Sequence, residues 1–415
     1  MKFKGKRGLI IGSGESGRGA EYALRIMGAK TDVIDTEYMP SDMNVYDFIV
    51  VSPGIRRSHP VYKFAEIRDV PLFGEIGLGA MLNTAPVLAV TGTNGKTTTV
   101  EMLGKIYSEA GIKAEVCGNI GRSFARVAGD GNYQRIILEL SSFQLLQAKP
   151  LKVRIGCITN FSADHLDYHG NMLEYRHAKL HIADGQTNAD YLLVPEKFNL
   201  VGISGNPSII RAGRDFYEKD GVLYIFGKRL MRADELGAKG KHNVENALCA
   251  GTMAKLDGIA DEDIITALTR FLPDKYRITQ VGEFNGTAYF DDSKGTNVSA
   301  CLSAIRCMNG TVGLIIGGSD KGYDFDDLFS EMPQNVTAVF VCGENARIIM
   351  DSARRIGYKD VMTVNELSEA VRLASLGGFD NVLFSPASAS FDRYANYKER
   401  GDAFEREVKK LFSAH

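Results

Sequence analysis

"VLAVTGTNGKTTTV", residues 87–100, is an apolar run that breaks into glycines, a single lysine and three threonines. Its β-branched start, then Gly92, Gly95 and Lys96, then a helical pattern from Thr97 to Ala110, reads as strand, loop, helix. Such a loop aims several backbone N–H groups and a helix N-terminus at one spot, where phosphate oxygens are well accommodated. The lysine adds a point charge for the outer phosphates, and the Thr97 hydroxyl can ligate Mg²⁺. Gly92, Thr93, Asn94, Gly95, Lys96, Thr97 and Thr98 are therefore the candidate nucleotide contacts. One departure stands out: Val90 occupies the place where the general phosphate-loop spacing has a glycine. A glycine turn ahead of a helix with a surface lysine is the bland alternative, and the strand–loop–helix order argues against it.

At 415 residues the chain is too long for one ordinary domain. Strand-like runs alternate with helical ones almost throughout, so the fold class is α/β with largely parallel sheets. Three domains are expected. Residues 1–84 carry "RGLIIG", "KTDVID" and "DFIVVS" and read as a Rossmann-like N-terminal domain. Residues 85–277 hold the phosphate loop and read as a central P-loop-type ATPase domain on a parallel sheet. Residues 278–415 open with the hairpin-like "VGEFNGTAYFDDS" and read as a C-terminal Rossmann-like α/β domain. "FLPDKYR" is the candidate hinge, because its proline interrupts a helical pattern.

The net charge of −2 provides no global field for nucleic acid or membrane. The basic start "MKFKGKRGLIIGSG" has an apolar run too short for a signal-peptide core, and no other stretch approaches a membrane span. Six scattered cysteines without a C-x-x-C pair read as buried free thiols in a reducing compartment, which points to the cytoplasm.

Further stretches carry chemistry. In "RIILELSSFQL" Glu139 ends an apolar strand, where a carboxylate beside a phosphate loop would hold Mg²⁺. "ITNFSADHLDYHGNMLEYRHAKLHI" brings Asp164, His165, Asp167, His169, His177 and His181 into one segment. His177 and His181, four apart, share a helix face; without an H-E-x-x-H they read as surface histidines rather than zinc ligands. His165 differs, since it lies just past the strand "RIGCITN", where ligands gather. In "KGKHNVENALCAG" the amides of Asn243 and Asn246 either pair with a nucleobase edge or cap the helix. "GSGESG" with Asp35 matches the dinucleotide fingerprint, which makes a dehydrogenase the rival reading. A block of about 84 residues is short of the two halves needed to embrace a dinucleotide, yet half a site can hold one nucleotide diphosphate.

"TGTNGKTTT", "LELSSFQL", "NFSADHLDYH", "EYRHAKLHI", "GKHNVENALCA", "DDSKGTN", "GGSDKG" and "SPASASFDRYANYKERGDAF" follow one another in this order. Together they resemble the Mur ligases of peptidoglycan synthesis, over essentially the whole chain. The central motifs are shared with folylpolyglutamate synthetases. "DDSKGTN" and the long serine-rich segment are more particular to the members that add D-glutamate.

The resemblance implies a cytoplasmic, monomeric enzyme that uses ATP and Mg²⁺ to join D-glutamate to UDP-N-acetylmuramoyl-L-alanine, with no nucleic-acid or membrane partner. It implies that Lys96 and Thr97 hold phosphates and metal, with Glu139 a further metal ligand. Lys179 corresponds to a lysine carbamylated by CO₂, and His165 lies near a second metal. Asn246, Arg277 and Asp292 match ATP contacts. Lys294, Thr296, Lys321, Ser390 and Phe391 match the amino-acid pocket, and Ser16, Thr36, Gly54 and Asn119 match contacts to the UDP-sugar. Three positions depart from the pattern: Glu37 replaces an arginine near the diphosphate, "LPDKYR" replaces a proline-histidine-arginine, and Glu15 places an acid in the first glycine turn.

The implied chemistry is activation of a carboxylate as an acyl phosphate, then attack by the D-glutamate amine. Phosphoryl transfer of this kind needs charge neutralisation more than covalent help. Ligases for other amino acids, a folylpolyglutamate synthetase-like enzyme and a nucleotide-gated binding module are the other readings. Steady ADP release that depends on D-glutamate separates a ligase from the dehydrogenase and the binding module, and product identification with a panel of amino acids separates the ligases.

Overall fold

The computed structural model describes residues 3–35, 39–40, 42–272, 275–320 and 324–413. Thr36, Glu37 and Lys321 lie outside the described residues, as does Pro273 of the "FLPDKYR" segment. The chain forms two compact units. One comprises Met1–Phe161 and Tyr168–Phe271; the other comprises Ser162–Asp167 and Leu272–His415.

The first unit contains a four-stranded parallel sheet of β1 (Arg7–Ile11), β2 (Lys30–Ile34), β3 (Phe48–Val51) and β4 (Leu72–Gly74), in the order β2-β1-β3-β4. Alternation of side chains along the strands feeds two cores. Ile10, Phe48 and Val50 pack with Ala20, Leu24 and Leu78. Leu9, Ile11, Ile49 and Val51 pack on the opposite face with Val61 and Ala65. Helices Glu15–Ile26 and Glu75–Leu82 both lie on helix Phe124–Asp130. Two glycines permit this approach: a β-carbon at Gly19 would collide with Ser123, and one at Gly79 would crowd Phe124 and Ala125. The N-terminal block and the following one therefore share one unit.

Its second sheet is six-stranded and parallel: β5 (Val87–Thr91), β6 (Ala114–Gly118), β7 (Arg135–Glu139), β8 (Ile155–Ile158), β9 (Tyr191–Val194) and β10 (Ser208–Arg211), in the order β10-β9-β8-β5-β7-β6. β5 is central and buried at all five positions, which is why it reads as an unbroken apolar run. A three-stranded antiparallel meander follows, β11 (Phe216–Lys219), β12 (Val222–Ile225) and β13 (Lys228–Arg232), and packs on helix Lys241–Leu256. The sequence reading did not separate this meander from its α/β surroundings. The Asp220-Gly221 and Phe226-Gly227 turns, all four residues at positive φ, were its signal.

The second unit is built on β14 (Thr279–Phe284), β15 (Thr287–Asp291), β16 (Val312–Ile316), β17 (Val336–Val341), β18 (Val361–Thr363) and β19 (Asn381–Phe384), in the order β14-β15-β19-β16-β17-β18. β14 and β15 form the expected hairpin, turned by Asn285 at φ 51° and Gly286 at φ 79°. The remaining pairings are parallel. Helix Asp261–Arg270 ends just before "FLPDKYR", in keeping with a residue that precedes proline leaving the helical region.

Candidate active site

In the first unit the carboxyl ends of β5, β7 and β8 lie side by side, where ligands bind in parallel sheets. The loop after β5 leads into helix Lys96–Glu109, with Gly92 at φ 149° and Gly95 at φ 79°. A side chain at Gly95 would meet Asn246 Oδ1, so the glycine lets helix Lys241–Leu256 reach the loop. The loop is braced from β8: Asn94 N–H donates to Asn160 Oδ1 at 2.8 Å, and Thr159 Oγ donates to Asn94 O at 2.6 Å. Lys96 Nζ donates to Gly92 O at 3.0 Å and Thr93 O at 2.7 Å, so its charge is held over the loop.

Lys179, on helix Met172–Leu180, is 1% exposed; its Nζ donates to Gly92 O at 2.8 Å and sits 4.3 Å from the centre of the Tyr175 ring. The expected carbamylation site and the phosphate loop therefore share a carbonyl. Glu139, also 1% exposed, ends β7 opposite Val90 of β5. Its Oε1 accepts from Asn119 Nδ2 at 2.8 Å, while Oε2 has no hydrogen-bond partner among the described residues. A buried carboxylate oxygen left open beside a phosphate loop, with the Thr97 hydroxyl at the helix start, fits a hard cation that takes oxygen ligands.

Other motifs resolve differently. Helix Lys241–Leu256 starts after Gly240 without a side-chain cap, so neither asparagine serves as one. Asn243 Nδ2 donates to Lys239 O at 2.8 Å, and Asn246 Nδ2 donates to Asn243 Oδ1 at 3.3 Å. The histidine pair is divided, because the α-helix ends at Leu180 and His181 opens a 3₁₀ turn. His177 lies 3.2 Å from Arg176 Nη2, and His181 Nδ1 lies 2.9 Å from Asp184 Oδ2. In the first glycine turn Glu15 pairs with Arg18 at 3.1 Å, and Asp35 accepts from Ser13 Oγ at 2.6 Å. Ser16 follows at the start of that helix, and Gly54 is exposed in the loop after β3.

The second unit gathers its described candidates after the carboxyl ends of β15 and β19. Asp292, Lys294 and Thr296 follow β15, and Ser390 and Phe391 follow β19. Asp292 is buried, and its Oδ2 accepts from Ser385 Oγ at 2.7 Å. Burial pushes its carboxyl up to about 7, against the Ser385 hydroxyl and the Arg277 charge; burial likewise raises Asp291 to about 6. Lys294 Nζ lies 5.4 Å from the Tyr397 ring centre. Ser390 is buried whereas Phe391 is 75% exposed. In the departing "LPDKYR" segment, Tyr276 at φ 74° donates through its hydroxyl to Asp402 Oδ1 at 2.8 Å, and its carbonyl accepts from Lys294 N–H at 3.2 Å.

Sequence reasoning missed the residue that holds these loops. Arg400, 2% exposed, donates to Ser293 O at 2.9 Å, Ser388 O at 2.9 Å and Ala389 O at 2.8 Å. Burial lowers its guanidinium to about 10. Asn345 adds a second brace, accepting from Gly318 N–H at 3.0 Å and donating to Ser388 Oγ at 2.8 Å. A lone arginine within an otherwise helical "YKERGDAF" was the available signal.

Comparison with known proteins follows the same lines. Residues 90–254 match the family described as the Mur ligase middle domain. The chain is 34% identical to the UDP-N-acetylmuramoylalanine--D-glutamate ligase of Caldanaerobacter subterraneus subsp. tengcongensis, covering 99% of this chain and 100% of the relative. It is 33% identical to the ligase of the same name from Streptococcus pyogenes serotype M49, covering 97% and 96%. The fold is similar to that of the UDP-N-acetylmuramate-alanine ligase MurC from Thermotoga maritima, with a TM-score of 0.63, 20% identity, and coverage of 99% and 100%.

Proposed function

The chain belongs to the Mur ligase family as an ATP-dependent amino-acid ligase of peptidoglycan precursor synthesis, and we propose that it joins D-glutamate to UDP-N-acetylmuramoyl-L-alanine. The observation that carries the choice of amino acid is the placement of Lys294, Thr296 and Ser390 at the carboxyl ends of adjacent strands β15 and β19. An ammonium with hydroxyl donors beside it suits a dicarboxylate and leaves the amine free to attack. Lys321 and Phe391 complete that pocket in this reading.

The carboxylate of the alanyl substrate is a poor electrophile, so it is first phosphorylated by ATP, with ADP leaving. The D-glutamate amine then attacks the acyl phosphate, and phosphate departs from the tetrahedral intermediate. Lys96 and the N–H groups of the loop stabilise charge on the transferred phosphoryl group. The family resemblance assigns Asn246, Arg277 and Asp292 to the nucleotide. Thr97, Glu139 and a carbamylated Lys179 would hold Mg²⁺, whose chemistry is to neutralise phosphate charge. His165 would help hold a second Mg²⁺. Carbamylation turns the Lys179 ammonium into an anionic oxygen donor, which such a cation prefers.

Residues 1–84 bind the UDP-sugar through Ser16, Thr36 and Gly54, and Asn119 of the central block adds a further contact. Residues 85–277 bind ATP, and residues 278–415 bind the amino acid. The enzyme works as a cytoplasmic monomer; among the described residues the six cysteines are free and no helix is long and apolar enough to cross a membrane.

Incubation with ATP, UDP-N-acetylmuramoyl-L-alanine and a panel of amino acids, with products identified by mass, tests the assignment. D-glutamate should be the amino acid ligated. Efficient ligation of L-lysine or meso-diaminopimelate with D-glutamate inert would overturn it and leave the ATP chemistry standing.

A further inference from the structure

Within the second unit one amide spans two segments that are far apart in sequence. Asn297 is the N-cap of helix Val298–Ile305, where its Oδ1 accepts from Ala300 N–H at 2.8 Å. Its Nδ2 donates to Asp164 Oδ2 at 3.1 Å. Both side chains are buried. The other Asp164 oxygen, Oδ1, accepts from His165 N–H at 2.9 Å, and His165 Nε2 stands 3.7 Å from Asp164 Oδ2.

The arrangement answers a conformational question. His165 has φ 55°, a left-handed backbone that costs a side-chain-bearing residue about 1 kcal/mol or more and persists only where its surroundings hold it. The Asp164 carboxylate contributes to that hold by accepting the His165 N–H. A buried carboxylate is itself fixed only when its other lone pairs are satisfied, and the Asn297 amide satisfies one. Asn297 also directly follows Thr296 of the candidate amino-acid loop, so one residue sets the loop exit and, through Asp164, the aim of the histidine.

We propose that Asn297 is a positioning residue of the ligase reaction, holding His165 through Asp164 while it caps the helix that follows the Lys294–Thr296 loop. The proposal rests on the ligase reading for its effect on turnover, but its structural half stands independently. It also separates two duties of one side chain. Serine at 297 keeps an oxygen that can cap the helix, at a cost of only tenths of a kcal/mol, and removes the donor to Asp164. Aspartate keeps the cap and sets a second carboxylate against Asp164. Alanine removes both functions.

Hydrogen exchange read by mass spectrometry, together with turnover, tests this. In Asn297→Ser, the peptide spanning 162–167 should exchange about tenfold faster or more, whereas the 298–305 helix should keep its protection. Asn297→Ala should deprotect both. Turnover should fall ~10–100-fold in Asn297→Ser and further in Asn297→Asp, with the KM for ATP unchanged, because the lost contact serves orientation rather than nucleotide binding. Asp164→Asn combined with Asn297→Ser should be non-additive, as expected for partners in one contact. Unchanged exchange at 162–167 in Asn297→Ser overturns the structural link, whatever the enzyme's substrate. Faster exchange with full wild-type turnover overturns the positioning role. A turnover loss that simply tracks the loss of helix protection, largest in Asn297→Ala, also overturns it.

Discussion

Around Gly92–Lys96 the ammonium groups of Lys96 and Lys179 rest on backbone carbonyls, whereas around Asp291–Ser293 it is carboxylates that are buried. The first cluster has a local frame, to which Lys179 and the bracing Thr159 and Asn160 are added from more distant segments. Strand, loop and helix are consecutive, and the bracing pair comes from the neighbouring strand end. The second is assembled from segments about a hundred residues apart and is held by one buried guanidinium reaching Ser293, Ser388 and Ala389. In the proposed reaction a cation resting on carbonyl dipoles would exchange them for phosphate oxygens. Asp291 and Asp292 of the second cluster are buried, and that burial raises their carboxyls to about 6 and 7. One region therefore rests its cations on backbone carbonyls, and the other buries its carboxyls in loops held from behind by a guanidinium.

The largest effect should come from the most buried cation. Lys179→Ala is expected to lower turnover on the order of 10³-fold and to regain part of it with added short carboxylic acids, which can fill the emptied space with an anionic oxygen. Intact-protein mass under CO₂-equilibrated conditions checks the carbamate directly. An unmodified lysine in the metal-loaded enzyme, with no rescue of the variant, would remove the anionic ligand from this scheme. Lys96→Ala should follow, with turnover reduced ~10²–10³-fold and the fold retained by circular dichroism, because in the proposed reaction its charge stabilises the transferred phosphoryl group. More than about a tenth of wild-type ADP release would place the main charge elsewhere.

In the second region the sensitive residue should be one that touches no substrate. Arg400→Lys keeps a cation but loses the planar fork, so the three carbonyls cannot all be satisfied. The expected outcome is a KM for D-glutamate raised ~10–100-fold with the KM for ATP nearly unchanged. Equal changes in both would mean that Arg400 supports the unit as a whole rather than its carboxyl-end loops. Arg400→Ala removes the charge as well and should also lower the melting temperature, since each lost charged hydrogen bond is worth about 1.5–3 kcal/mol.

The same contrast explains what could be read in advance. The phosphate loop, the Glu139 strand end and the Asn285-Gly286 hairpin were legible because each depends on neighbours a few residues away, where period and turn chemistry carry the information. Arg400 was not, since its partners at Ser293 and Ser388 become neighbours only when β15 and β19 pair. Asn246 was noticed for its amide, yet its packing against Gly95 is a tertiary fact. His165 was singled out by its strand-end position, while its left-handed backbone and its Asp164–Asn297 support have no signature in one dimension.

Glu75 breaks the neat opposition of the two regions, and it should give the smallest effect on turnover. It lies in the first unit, buried at the start of helix Glu75–Leu82, and its Oε1 accepts from Ala125 N–H at 2.6 Å. Its Oε2 has no hydrogen-bond partner among the described residues, and burial pushes the carboxyl up to about 7 from 4.5. Because the folded value is raised, the native state holds a proton between about 4.5 and 7 that the unfolded chain releases. The stabilising contribution is thus complete below 4.5 and is lost as pH rises through 7. At about 1.4 kcal/mol per unit, the swing amounts to at most about 3.5 kcal/mol. Glu75→Gln keeps an acceptor for Ala125 and cannot ionise, so its advantage over wild type should grow from pH 5 to pH 8 by ~1–3 kcal/mol. Asp291 and Asp292 bend the curve in the same direction, so the measured quantity is the difference between variant and wild type in urea melts at each pH. A difference that is flat with pH would mean that Glu75 stays ionised throughout, and that water reaches the seam between helices Glu75–Leu82 and Phe124–Asp130.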